Sequence, residues 1–144
     1  MRRNGIDKMG LKEKSKVNAR LAHALRDDGE YNAAVNRFYY SVFQKLHNAA
    51  SEKWKYAYDS TEGSSHQALI GFVSNKISEC AKDEDLRMDA MKAKQVTGSF
   101  RALKKLRVQA DYLEKCIDEK EMKTFSDNYE KFNAGYSSFR KLEE

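Results

Sequence analysis

At 144 residues the chain fits one domain, with no length to spare for a second and enough to bury a core without disulfide staples. Proline, which stops helices by removing a donor and clashing with the preceding turn, is absent, and glycine numbers only seven, so long uninterrupted helices are expected. The net charge of +5, from 27 basic against 22 acidic residues, suits weak attraction to a polyanion and equally a solvated helical surface.

The first helix is predicted over residues 7–27, where Leu11, Val17, Leu21, Ala24 and Leu25 give a thin apolar stripe. Asp28-Gly29 ends it, because glycine accepts the left-handed conformation that closes a helix. A second helix is predicted over 30–56, with Tyr31, Ala34, Val35, Phe38, Val42, Leu46 and Ala49 at the three- and four-residue steps of one buried face. Residues 57–65 are polar and form a loop, in which Ser64 or Ser65 can cap the third helix. That helix carries Leu69, Ile70, Phe72, Val73 and Ile77, and a charged linker over 82–85 follows.

The fourth helix is predicted over 86–117, with Val96, Phe100, Leu103, Leu106, Ala110, Leu113 and Ile117 on one face. Asp118 and Glu121 then have capping-box spacing for the fifth. There Met122, Phe125, Tyr129, Phe132, Tyr136 and Phe139 form an unbroken aromatic seam, which predicts core or dimer packing rather than a ligand box. The expected fold is all-α, an up-and-down bundle of four or five helices forming one domain over residues 1–144, with the order of residues 1–10 left open.

Cys80 and Cys116 are far apart and lack CxxC spacing, so a reduced compartment is expected. No apolar run follows Met1-Arg2-Arg3-Asn4-Gly5 as it would in a secretory leader, and no stretch approaches the roughly 18 apolar residues of a membrane span. The expectation is a cytoplasmic protein without a membrane partner. His23, His47 and His66 lack metal-ligand spacing, and neither a Gly-rich phosphate loop, a GxSxG elbow, an HExxH helix nor a paired-carboxylate signature occurs. No metal or cofactor is expected.

Three constellations carry polar chemistry. Arg37, Tyr40, Gln44 and His47 form a stripe beside the core face of the second helix, suited to a subunit interface or a site edge, or simply to a solvated flank. His66 opens the third helix, where the positive end of the helix dipole disfavours its protonated form; a neutral imidazole there can accept from an arginine, meet a nucleobase edge, or only pack locally. In the fourth helix Arg107 lies roughly 40° from Leu103 on a helical projection and so borders the buried face. Asp111 and Glu114 fall on the same side, and Tyr112 points away. An arginine at the rim of a core face needs a carboxylate, a facing subunit or a phosphate. The surrounding helix is basic, with Lys92, Lys94, Arg101, Lys104, Lys105, Arg107 and Lys115, of which Arg101, Lys104 and Lys105 project outward and could touch phosphates.

The order of these features resembles the small prokaryotic HEPN family. Ala34-x-x-Arg37-Phe-Tyr-Tyr40-Ser-Val-Phe43 is similar to its R-x-YYA-x-F helix. Ser-Ser-His66-Gln-Ala-Leu-Ile-Gly-Phe72 is similar to its HSG-type turn, with departures after the histidine. Arg107-Val-Gln-Ala-Asp-Tyr112 is similar to its late R-x-x-ADY helix, and Glu30-Tyr31-Asn32-Ala33-Ala34 to its G-x-Y-x-x-A entry. The resemblance covers roughly residues 15–117. It implies a four- or five-helix bundle, usually a homodimer, with a cleft between facing copies of the late helix. It also implies a place in toxin–antitoxin or defence systems, with RNA or nucleotide as ligand and a nucleotidyltransferase-like or antitoxin protein as partner.

Many members are metal-independent ribonucleases whose motif is an arginine followed four to six residues later by histidine. Arg107 matches the arginine, but Val-Gln-Ala-Asp-Tyr-Leu-Glu after it contains no histidine. Binding of RNA or nucleotide through Arg107, Asp111, Arg37, Tyr40, Arg101, Lys104 and Lys105 is therefore the leading expectation. Ribonuclease activity, with Arg107 on the scissile phosphate and His66 or Tyr112 as proton carrier, is the alternative. A plain helical adaptor ranks behind both, since Leu21–Ala34 supplies one helical-hairpin unit where a solenoid needs at least about three.

Overall fold

Five helices, α1 (Leu11–Asp27), α2 (Tyr31–Trp54), α3 (Ser65–Cys80), α4 (Arg87–Tyr112) and α5 (Glu119–Arg140), make up the computed structural model, which describes residues 10–58, 64–112 and 116–142. The class is all-α, and among the described residues there is no strand.

The helix boundaries follow local chemistry. Gly29, at φ 81°, closes the α1–α2 turn, and Glu30 N–H donates to the Leu25 carbonyl at 2.9 Å. Ser64 caps α3 by accepting from Gln67 N–H at 3.1 Å. Asp118 and Glu121 form the reciprocal box expected at the start of α5, with bonds of 2.7 and 3.1 Å. The end of α4 differs from expectation. The helix does not run to 117: Cys116 and Ile117 are non-helical, and Ile117 is buried. Asn32 of α2 supplies the reason. Its Nδ2 donates to the Ala110 carbonyl at 3.1 Å and its Oδ1 accepts from Ile117 N–H at 2.8 Å, so one side chain satisfies backbone groups on both sides of the α4–α5 connection. Leu113, Glu114 and Lys115, like residues 1–9, lie outside the described residues.

Contacts fix the helix directions. Ser15 meets Ser41, and His23 meets Phe38, so α1 is antiparallel to α2. Gly135 packs on Gln95 and Val96, and Gln109 bonds Glu121, so α4 is antiparallel to α5. Asn36 reaches Asp111 while Tyr39 reaches Phe100, so α2 and α4 are also antiparallel. The up-and-down alternation is interrupted between α2 and α3. His66 stacks on Phe43 and Phe72 lies against Trp54, so the two helices run in the same sense. The chain doubles back after Lys55, at φ 56°, and is anchored by buried Tyr56 against His47 and Phe72. This return sets the first turn of α3 beside the middle of α2.

One core cluster joins all five helices, with Phe38, Tyr39, Phe100, Phe125, Phe132 and Phe139 its largest fully buried members. The aromatic seam of α5 packs inward as core, Tyr129 and Tyr136 only in part. The stripe read on α1 is displaced. Leu21 is 40% exposed and Ala24 is exposed, while the buried positions are Ser15 and Ala22. Small residues win there because α1 and α2 approach closely: Ser15 Oγ donates to the Ser41 carbonyl at 2.7 Å and Ser41 Oγ to the Ser15 carbonyl at 2.8 Å. The α4–α5 pair is equally tight, since a Cβ on Gly135 would meet Gln95 Cβ at 3.0 Å and Val96 N at 3.1 Å.

Gly135→Leu is expected to lower unfolding stability by about 2 kcal/mol, because the added side chain must force α4 and α5 apart. Urea unfolding checks this, and an unchanged midpoint would show that the crossing is loose.

Candidate functional site

Arg107, on the penultimate turn of α4, faces α2 and is only 7% exposed. Three tyrosine rings surround its guanidinium carbon, with centroids at 4.9 Å for Tyr39, 5.5 Å for Tyr40 and 5.8 Å for Tyr112. Such faces attract a cation that has lost its water. The hydrogen bonds are weaker than the burial would suggest. One terminal nitrogen donates to Asp111 Oδ2 at 3.3 Å and to the Tyr112 hydroxyl at 3.4 Å, whereas a strong guanidinium–carboxylate pair is bidentate and shorter. Among the described residues the buried Nε has no acceptor. The carboxylate is shared, since Asn36 Nδ2 donates to both Asp111 oxygens at 3.0 and 3.3 Å.

His66 completes the group from the first turn of α3. Its ring stacks on Phe43, with centroids 4.2 Å apart, and lies parallel to Tyr39 at 5.3 Å. Its Nδ1 meets the Tyr39 hydroxyl. Burial, then the positive charges of Arg107 and Lys104, push His66 down from 6.5 to about 4. Burial likewise pushes the Tyr39 phenol upward, against the pull of Arg107. At neutral pH Tyr39 therefore keeps its proton and His66 is uncharged. Both groups of the Tyr39–Nδ1 hydrogen bond are neutral, and which of them donates follows the imidazole tautomer. A cation with spare donors and a neutral imidazole thus share one aromatic enclosure, which is chemistry for an oxygen-rich anion.

The residues expected from sequence divide. Arg107, Asp111, Tyr40 and His66 are brought together. Tyr112 does not point away: as the last residue of α4 it folds back to put its hydroxyl on Arg107, while remaining 72% exposed. Lys104 is near enough for its charge to act on His66. Arg101, Lys104 and Lys105 line an open hollow of about 460 Å³ on α4 with Val108 and Gln109. Arg37 is not part of the group. It is exposed and donates to Asn18 Oδ1 of α1 at 3.0 Å, and Gln44 accepts from the same asparagine at 2.9 Å. The stripe read along α2 is therefore split between two neighbours. Glu114 lies outside the described residues.

Sequence reasoning passed over Asn36, Tyr39 and Phe43 as site residues. They occupy α2 at steps of three and four, the signal of a common face, beside the apolar face read through Phe38 and Val42. Cys80 is half-buried and Cys116 is exposed. Among the described residues no three His, Cys, Asp or Glu side chains converge, and no helix is long and apolar enough to cross a membrane. No family model, curated protein or solved structure matches the chain.

The depressed His66 pKa gives a signed expectation. Its folded value lies below that of the unfolded chain, so protons favour unfolding. Stability is unaffected above pH 6.5 and falls as pH drops towards about 4. His47, also lowered by burial, adds to the same trend. The stability of the wild type relative to His66→Gln should decline across that window in thermal melts, and a pH-independent difference would contradict the assignment.

Proposed function

We propose that this is a HEPN-like helical protein that binds the phosphate of RNA or of a nucleotide at Arg107, as a homodimer with the ligand cleft between facing α4 helices. The observation that carries the reading is the under-satisfied guanidinium: buried, permanently charged, held by one long contact to a shared carboxylate, and with an Nε orphaned among the described residues. A buried N–H without an acceptor costs about 1–3 kcal/mol, a penalty that a phosphate oxygen would relieve. Two further features support it. The outward basic side chains of α4 would add contacts along a phosphate backbone. Exposed Tyr112 and Val108, beside Arg107, are the kind of residues that subunit interfaces cover.

Binding is favoured over cleavage. No histidine follows Arg107 within six residues, so the local general base that hydrolysis wants is missing. The order of motifs along α2, α3 and α4 supports the family reading, and with it a place in a toxin–antitoxin or defence-type system beside a nucleotidyltransferase-like or antitoxin partner.

Arg107→Lys keeps the charge and loses the planar fork, so affinity for single-stranded RNA or nucleotide should fall by about tenfold with the fold retained. Fluorescence anisotropy with labelled RNA and nucleotide measures it, and undiminished binding by that variant would remove Arg107 as the ligand contact. RNA incubated in EDTA should stay intact; cleavage lost on Arg107→Lys would replace the binding reading with ribonuclease activity. Sedimentation should report a dimer, and a monomer at every concentration would remove the shared cleft.

A further inference from the structure

On the face of α2 that meets α1 and α5, away from the face that meets Arg107, lies a second basic enclosure. It is a hollow of about 280 Å³ lined by Lys12, Lys16, Lys45 and Arg140, with Asn48 and the Tyr136 ring among them, and among the described residues no aspartate or glutamate lines it.

Lys45 is the unusual member. It sits two turns from Phe38, on the same side of α2, where Phe38 is wholly buried. Lys45 itself is half-buried, and burial drives its pKa downward. Its ammonium lies 4.6 Å over the Tyr136 ring and 3.3 Å from Asn133 Oδ1. Among the described residues none of the three lysines has a carboxylate within ion-pair distance. Arg140 makes a 3.8 Å contact to Glu52, with both side chains half exposed, and a 3.5 Å bond to the Tyr136 hydroxyl.

Lys12 and Lys16 add a second cost. They stand one turn apart on α1, where like charges repel. Lys12 also falls in the first turn of the helix, next to Glu13, where positive charge opposes the dipole and Gly10 provides no side-chain cap. A desolvated lysine, a repelling lysine pair and an unfavourable helix end converge on one hollow, and an anion relieves all three.

We propose that this hollow binds the phosphate group of a small phosphorylated ligand of mononucleotide size. Lys45 holds the phosphate from inside, Arg140, Lys12 and Lys16 close on it from the rim, and Tyr136 borders the space for an attached ring. The volume sits at the small end of soluble ligand pockets, enough for one phosphate and one ring system. The proposal does not depend on Arg107, because the two groups occupy different faces of α2.

The test is an NMR titration of the intact protein with inorganic phosphate, ribose 5-phosphate and AMP, repeated on Lys45→Gln, Lys16→Gln and Arg107→Lys. Shifts centred on Lys16, Asn48 and Tyr136 are expected. Their dissociation constant should rise about tenfold in Lys45→Gln, by less in the rim variant Lys16→Gln, and remain unchanged in Arg107→Lys. Binding of all three probes would assign recognition to the phosphate, and binding of AMP alone would assign a share to the ring against Tyr136. Absence of shifts with every probe, shifts confined to the Arg107 group, or equal affinity in both lysine variants would each overturn the proposal.

Discussion

A guanidinium cannot discharge itself, so a chain that buries one must build its surroundings around a fixed positive charge. Arg107 imposes that condition where α2, α3 and α4 meet. Removing such a charge from water costs several kcal/mol, and the site offsets this mostly with ring faces, each worth roughly 0.5–2 kcal/mol, and only weakly with a carboxylate. The charge also acts on its neighbours. It helps keep His66 neutral. Asp111, which might have neutralised the arginine outright, is held partly by Asn36.

The helices around this point are set by close approach as much as by large hydrophobics. Ser15, Ala22, Ser41 and Ala34 let α1 lie tight on α2, and Gly135 lets α5 lie tight on α4. Two helix pairs held this closely leave α2 and α4 to face each other through long side chains, Phe100, Tyr39 and Arg107 among them. α3, running in the same sense as α2, closes the third side with the His66 ring. Asn32 ties the end of α4 to α2 and so limits how far the Arg107 turn can drift. The same close pairing shapes the opposite face of α2, where Lys45 reaches the Tyr136 ring between α1 and α5.

Periodicity and capping chemistry were legible from the chain. Met122, Phe125, Phe132 and Phe139 recur with a helix's period, and a helix must bury such a stripe; Asp118 with Glu121, Ser64, and Gly29 mark ends because backbone groups there need partners or a left-handed turn. The α1 stripe was not legible, because a serine that bonds across a tight interface looks polar in sequence and behaves as core. The end of α4 was not legible either, since the donor and acceptor that stop it come from Asn32 on another helix. At the site, the residue types Arg107, Asp111, Tyr40 and His66 could be singled out. That Arg37 turns to Asn18, and Tyr112 back to Arg107, depends on which neighbour each face of a helix meets.

The sequence by itself determined the all-helical class, the five segments, most of their caps and the seam of α5, because these are properties of residues three or four apart on one element. Tertiary structure alone decided that α2 and α3 run in the same sense, that Tyr39 links His66 to Arg107, and that three lysines and an arginine from three helices line one hollow. Those are distances between residues remote in the chain, and they are fixed by how closely helices can pack, which no local pattern encodes.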